Sequence, residues 1–64
     1  MYVNGQKIDI QNKISLSEYL KKEGYDMQRI AVEKNGNIVP KHSFETEMLS
    51  DNDKLEIVNF VGGG

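Results

Sequence analysis

The residues of this 64-residue chain with the clearest chemical potential are its last three, Gly62-Gly63-Gly64. They follow the run Lys54 to Val61 with no linker between. In an arbitrary protein such a stretch is a frayed end. It has a second use, because residues without side chains can be enclosed by a narrow channel in a partner. The expected free carboxylate of Gly64 would then be led to a nucleotide. A carboxylate resists nucleophiles until it is activated. Reaction with ATP makes an acyl-adenylate whose leaving group is AMP, and a sulfur donor can attack that unshielded carbonyl. The chain would supply the acyl group as a tethered substrate, and its partners the catalytic groups.

Other reactive types are sparse. His42 is the single histidine and stands between Lys41 and Ser43, the setting of a solvated loop residue. Glu45, Glu47, Asp51 and Asp53 read as a solvated face and a polar turn, with no metal expected. There is no cysteine, which excludes disulfides, thiolate nucleophiles and cysteine metal sites together. Val58 and Phe60 alternate with Leu55 and Ile57, so they fall on the opposite face of a strand. That face would not be covered by a helix. Val58 and Phe60, with the adjacent Val61, are therefore either packed strand residues or a partner-docking patch.

The elements that must position the tail are legible from periodicity and turn chemistry. Met1 to Ile10 alternates apolar and polar residues around Asn4-Gly5, the signature of a two-residue hairpin. Ser15 and Glu18 form a capping box, with Ile14 and Tyr19 as its hydrophobic staple. Leu16, Tyr19 and Leu20 share one helical face, Lys21-Lys22 suit the last turn, and Gly24 suits a left-handed cap. A helix of two to three turns follows. Ile30 and Val32 begin a second hairpin around Asn35-Gly36, and Pro40 limits its short second strand Asn37-Ile38-Val39. Lys41 to Ser50 has no clear pattern; Phe44, Met48 and Leu49 are expected to cover an edge of the core. Ser50-Asp51-Asn52-Asp53 is a turn, and Lys54 to Phe60 the last strand. The expected architecture is α+β: a mixed sheet of four to five strands with one main helix on one face, and the first and last strands central and parallel. Residues 1–61 would form the domain and 62–64 a flexible reactive tail.

Composition limits the alternatives. A chain of 64 residues makes one domain with little room for a deep pocket, so a self-contained enzyme is not expected. The formal net charge of −2 argues against a nucleic-acid binder, which would carry a basic stripe. No apolar run approaches a membrane span, and the first residues lack the blocks of a signal peptide. A cytoplasmic protein is the expectation.

These features together resemble the ThiS family, the ubiquitin-like, β-grasp sulfur carriers of thiamin (thiazole) biosynthesis. The resemblance is carried by Val3-Asn4-Gly5, by Ile30-Ala31-Val32-Glu33-Lys34-Asn35-Gly36 with Ile38-Val39-Pro40-Lys41, and by Asp51-Asn52-Asp53 running through Lys54-Leu55-Glu56-Ile57-Val58-Asn59-Phe60 into Val61-Gly62-Gly63-Gly64. It spans the whole chain. Asn52 replaces a glycine common in that turn, and Asn also tolerates a left-handed backbone. Lys41 replaces a frequent arginine, keeping the charge without the fork.

The resemblance implies three partners and no bound cofactor. A ThiF-type enzyme would use ATP to adenylate Gly64. A cysteine-desulfurase persulfide relay would convert the adenylate to a thiocarboxylate. A ThiG-type thiazole synthase would take the sulfur and return the carboxylate. Sulfur carried on the terminus also fits a chain without cysteine. Two other readings stand beside this one: the small subunit of molybdopterin synthase, which also ends in Gly-Gly, and a β-grasp interaction module without terminal chemistry.

Overall fold

Two Asn-Gly pairs set the sheet. The computed structural model describes residues 1–60. Within it Asn4 and Gly5 adopt φ of 52° and 82°, and Asn35 and Gly36 adopt 53° and 87°. Positive φ at both central residues is the tight hairpin geometry that matches the twist of the flanking strands. The first pair joins β1 (Tyr2–Val3) to β2 (Gln6–Lys7), and the second joins β4 (Ile30–Lys34) to β5 (Asn37–Val39). Between the hairpins lie β3 (Ile14–Ser15) and α1 (Leu16–Glu23); after them come β6 (Met48–Leu49) and β7 (Lys54–Asn59).

The main sheet has five strands in the order β2-β1-β7-β4-β5. β7 pairs parallel with β1 and antiparallel with β4. This is the mixed sheet anticipated above, with the last strand at its centre. Ile30, Val32, Val39, Leu55, Ile57 and Val3 point to one side, where Leu16, Tyr19 and Leu20 of α1 complete the core.

The capping box that begins α1 is formed. Ser15 Oγ accepts the Glu18 amide at 3.1 Å, and the Ser15 amide donates to Glu18 Oε1 at 3.4 Å. Gly24, at φ 83°, closes the helix by donating to the Leu20 and Lys21 carbonyls.

The segment 41–50 does more than cover an edge. Its β6 pairs with β3 in a separate two-stranded sheet, in the register Ile14 to Leu49 and Ser15 to Met48. The Leu16 amide donates to the Glu47 carbonyl at 2.7 Å, and the Ser17 amide to Phe44 at 2.8 Å. The segment therefore satisfies first-turn donors of α1 that have no partner within the helix. Phe44 and Leu49 are buried, but Met48 is exposed, since successive strand side chains point to opposite faces.

Two further expectations are corrected. The first hairpin has strands of only two residues, and Ile8 and Ile10 pack half-buried on the core beyond β2. Among the described residues Asn52 does not have a positive φ, so its turn makes no left-handed demand. The expected domain limit at 61 and the tail 62–64 lie outside the described residues.

Candidate functional site

The approach to the tail is built by β7. Its side chains alternate, with Leu55 and Ile57 buried and Lys54, Glu56 and Val58 exposed. β4 accompanies it from Lys34 opposite Leu55 to Ile30 opposite Asn59. One more bond, from the Phe60 amide to the Arg29 carbonyl at 2.7 Å, carries this pairing past the end of the strand. β1 leaves earlier, its register ending with Val3 opposite Leu55. Val61, Gly62, Gly63 and Gly64, predicted as docking and reactive residues, lie outside the described residues.

Val58 and Phe60 are 58% and 53% exposed, on the face that α1 leaves uncovered. The register puts Ala31 directly opposite Val58. Ile38 of β5 is 73% exposed, while its neighbour Val39 is buried. Ile38, Phe60, Ala31 and Pro40 border a shallow apolar cleft of about 200 Å³ at the end of β4. The strand alternation that revealed Val58 also points Ile38 outward, because Val39 takes the core position.

Charge lies to one side of this patch. Glu33 and Glu56 stand opposite one another across β4 and β7, both exposed. Like charges so placed are mildly destabilising, which is a reason to look for a cationic group on whatever covers them. Lys34 reaches the other way. Its ammonium donates to Glu47 Oε2 at 2.8 Å and to the Met48 carbonyl at 3.0 Å, with Asp53 Oδ2 at 3.7 Å. The hydrogen bond to Glu47 is the main cause of a pKa raised above the ordinary lysine value, against a smaller opposing effect of burial. Burial by itself would raise the Asp53 carboxyl. Hydrogen bonds from Asn35 and from the Ser50 amide, with the nearby Lys34 charge, bring it below its ordinary value.

His42 is exposed in the short helical turn Lys41–Ser43. Lys41 donates to the Gln28 carbonyl at 2.9 Å. No group of three or more metal-ligating side chains occurs among the described residues. No helix among them is long and apolar enough to cross a membrane.

The periodicity did not reveal the side chains of Asn4 and Asn35. Both were legible as turn formers, yet each carboxamide also bonds to β7 or the turn before it. Asn35 Oδ1 accepts the Lys54 amide at 2.9 Å, and its Nδ2 donates to Asp53 Oδ1 at 3.0 Å. Asn4 Oδ1 accepts the Ile57 amide at 2.7 Å, and its Nδ2 donates to the Ile57 carbonyl at 3.2 Å. An Asn-Gly signal predicts backbone conformation and carries no information about a partner about 20 or 50 residues away.

Comparison with known proteins identifies the arrangement. The model of the ThiS family matches residues 1–64. The chain belongs to the ThiS family. A crystal structure of the thiamine biosynthesis protein ThiS from Geobacter metallireducens superposes with a TM-score of 0.80 at 27% identity, covering 98% of this chain and 96% of that one. A solution structure of a thiamine biosynthesis protein from the same organism gives 0.78 at 27% identity, covering 98% and 85%. The observed sheet and helix are thus the β-grasp, ubiquitin-like fold of that family.

Among curated proteins, a thiazole synthase of Paramagnetospirillum magneticum is 39% identical over all 64 residues, and the chain spans only 20% of its length. The uncharacterized protein ycf40 of Pyropia yezoensis is 37% identical over 62 residues, covering 97% of this chain and 87% of that protein.

Proposed function

We propose that the chain is a sulfur carrier for thiazole formation in thiamin biosynthesis, acting as a co-substrate and not as an enzyme. The observation that carries this reading is the family match over the whole chain, on a sequence that runs from the central strand into Gly62-Gly63-Gly64. In the proposed cycle a Gly64 carboxylate oxygen attacks the α-phosphorus of ATP on a ThiF-type enzyme and pyrophosphate leaves. The terminal sulfur of a persulfide relay, charged by a cysteine desulfurase, then attacks the acyl-adenylate and AMP leaves. A thiol cleaves the resulting sulfur–sulfur bond and frees the thiocarboxylate, with the relay sulfur released as a disulfide. A ThiG-type thiazole synthase accepts the sulfur. A whole-chain match inside a protein named thiazole synthase supports that last partner.

The exposed pair Val58 and Phe60, extended by Ala31 and Ile38, supports a docking role for the uncovered sheet face near the end of β7. An adenylating enzyme that covered this patch would bury apolar surface at about 25 cal/mol per Å² and hold the tail at its nucleotide. The test is ATP–pyrophosphate exchange by the cognate adenylating enzyme. Exchange that depends on the wild-type chain supports the reading, and absence of exchange with an active enzyme refutes it.

A further inference from the structure

β1 and β7 run parallel, and their ladder ends before β7 does, with Val3 opposite Leu55. The Tyr2 amide donates to the Asp53 carbonyl at 3.0 Å, and the Asn4 amide to the Leu55 carbonyl at 2.9 Å. In a regular parallel ladder the next bond would bring the Ile57 amide to the Asn4 carbonyl. Asn4 has instead turned into the left-handed region, at φ 52°, to enter the hairpin. Its side chain takes over. The carboxamide accepts the Ile57 amide at 2.7 Å and donates to the Ile57 carbonyl at 3.2 Å. One side chain thus stands in for the strand that is no longer there.

This placement matters for whatever follows β7. Ile57 is three residues before Phe60, and beyond Asn4 the pairing of β7 among the described residues lies on its β4 side alone. A strand held on one edge is free to twist and swing toward the open edge. The two Asn4 bonds hold the other edge to the last point the first hairpin can reach. We propose that Asn4 is a positioning residue for the chemistry proposed at Gly64, holding the second edge of β7 at Ile57 while β4 holds the first edge as far as Phe60. The inference rests on the carrier reading given above, since a direction matters only if the terminus must meet a reacting atom.

Asn35 supplies the control. It sits at the same position of a turn of the same kind, at φ 53°, with an equally two-handed carboxamide. Its bonds go to Lys54 and Asp53, at the opposite end of β7 from the tail. Glycine accepts positive φ freely, so Asn4→Gly and Asn35→Gly each keep the turn and remove only the carboxamide.

The experiment measures kcat and KM for adenylation of each variant by the cognate enzyme, with amide hydrogen exchange of the folded variants. Asn4→Gly should accelerate exchange at Ile57, leave KM unchanged because the apolar patch is intact, and lower kcat by about ten- to a hundredfold, the scale of an ångström-sized misplacement. Asn35→Gly should match the wild type in both constants. Should Asn4→Gly fail to fold, Asn4→Asp takes its place. It keeps an acceptor for the Ile57 amide, loses the donor, and should lose kcat in the same direction. Equal losses in the Asn4 and Asn35 variants would reduce Asn4 to a stabilising residue and overturn the proposal. So would an Asn4 variant with wild-type kcat, and in that case the carrier reading survives. A wild-type chain that is never adenylated overturns both.

Discussion

The Lys34 ammonium lies 2.8 Å from Glu47 Oε2 and 3.7 Å from Asp53 Oδ2, so one cation ties the middle of the sheet to the segment before β6 and to the start of β7. Asp53 is buried and its carboxylate is held by Asn35, by the Ser50 amide and by Lys34.

A pH dependence follows. The folded Asp53 pKa lies below its unfolded value of about 3.9. A depressed acid contributes stability above the unfolded value and loses it as pH falls through the folded one. The domain should therefore lose stability below about pH 4, and Asp53→Asn should flatten that loss. The same variant turns one of the two carboxylate acceptors into a donor, facing either the Ser50 amide or Asn35 Nδ2, at a cost of about 1–3 kcal/mol at neutral pH. Urea unfolding of wild type and variant across this range measures both effects. An unchanged acid limb in Asp53→Asn would contradict the assignment.

Ser15 tests the helix start. Its hydroxyl accepts the Glu18 amide at 3.1 Å, and Ser15→Ala should lower stability by about 0.5–2 kcal/mol. Because Ser15 pairs with Met48 in a sheet separate from that of β7, sulfur loading of the folded variant should not change. Thermal unfolding and a loading assay on the same sample check the two halves of this expectation.

Phe60 tests the patch. It is 53% exposed, so Phe60→Ala should change stability by no more than about 0.5 kcal/mol. Binding to the adenylating enzyme should weaken, as read by titration calorimetry. A variant that melts far earlier and binds normally once folded would show that Phe60 serves the core.

What the sequence made legible follows from how local each signal is. The two Asn-Gly turns, the Ser15–Glu18 box and the Leu55/Ile57 alternation are each written within a few residues, and all of them are found in the structure. The pairing of β3 with β6 joins segments more than thirty residues apart through two residues each, too short for alternation to register. The Asn4 bonds to Ile57 likewise depend on a crossover of the chain that no local pattern encodes. Of the candidate site, the outward face of β7 was readable, and Ala31 and Ile38 joined it only once the register was known.

Tail length is the next prediction. Removing Gly64 leaves a chemically similar carboxylate on Gly63 but withdraws it by roughly 3.3–3.6 Å, the span of one extended residue. A misplacement of 1 Å can cost about a hundredfold in rate. The deletion, and equally one residue appended after Gly64, should give a folded protein that is adenylated poorly. Wild-type rates in both variants would show that the tail is not a measured tether.

The proposed cycle puts sulfur on the carboxylate of Gly64. Its most direct measurement is mass spectrometry of the chain after incubation with the adenylating enzyme, ATP and a persulfide donor, with fragmentation of the last peptide. Exchange of one oxygen for one sulfur is expected, confined to Gly64 and dependent on ATP. A terminus that stays an unmodified carboxylate while the enzyme is active, or sulfur found anywhere else on the chain, would contradict it.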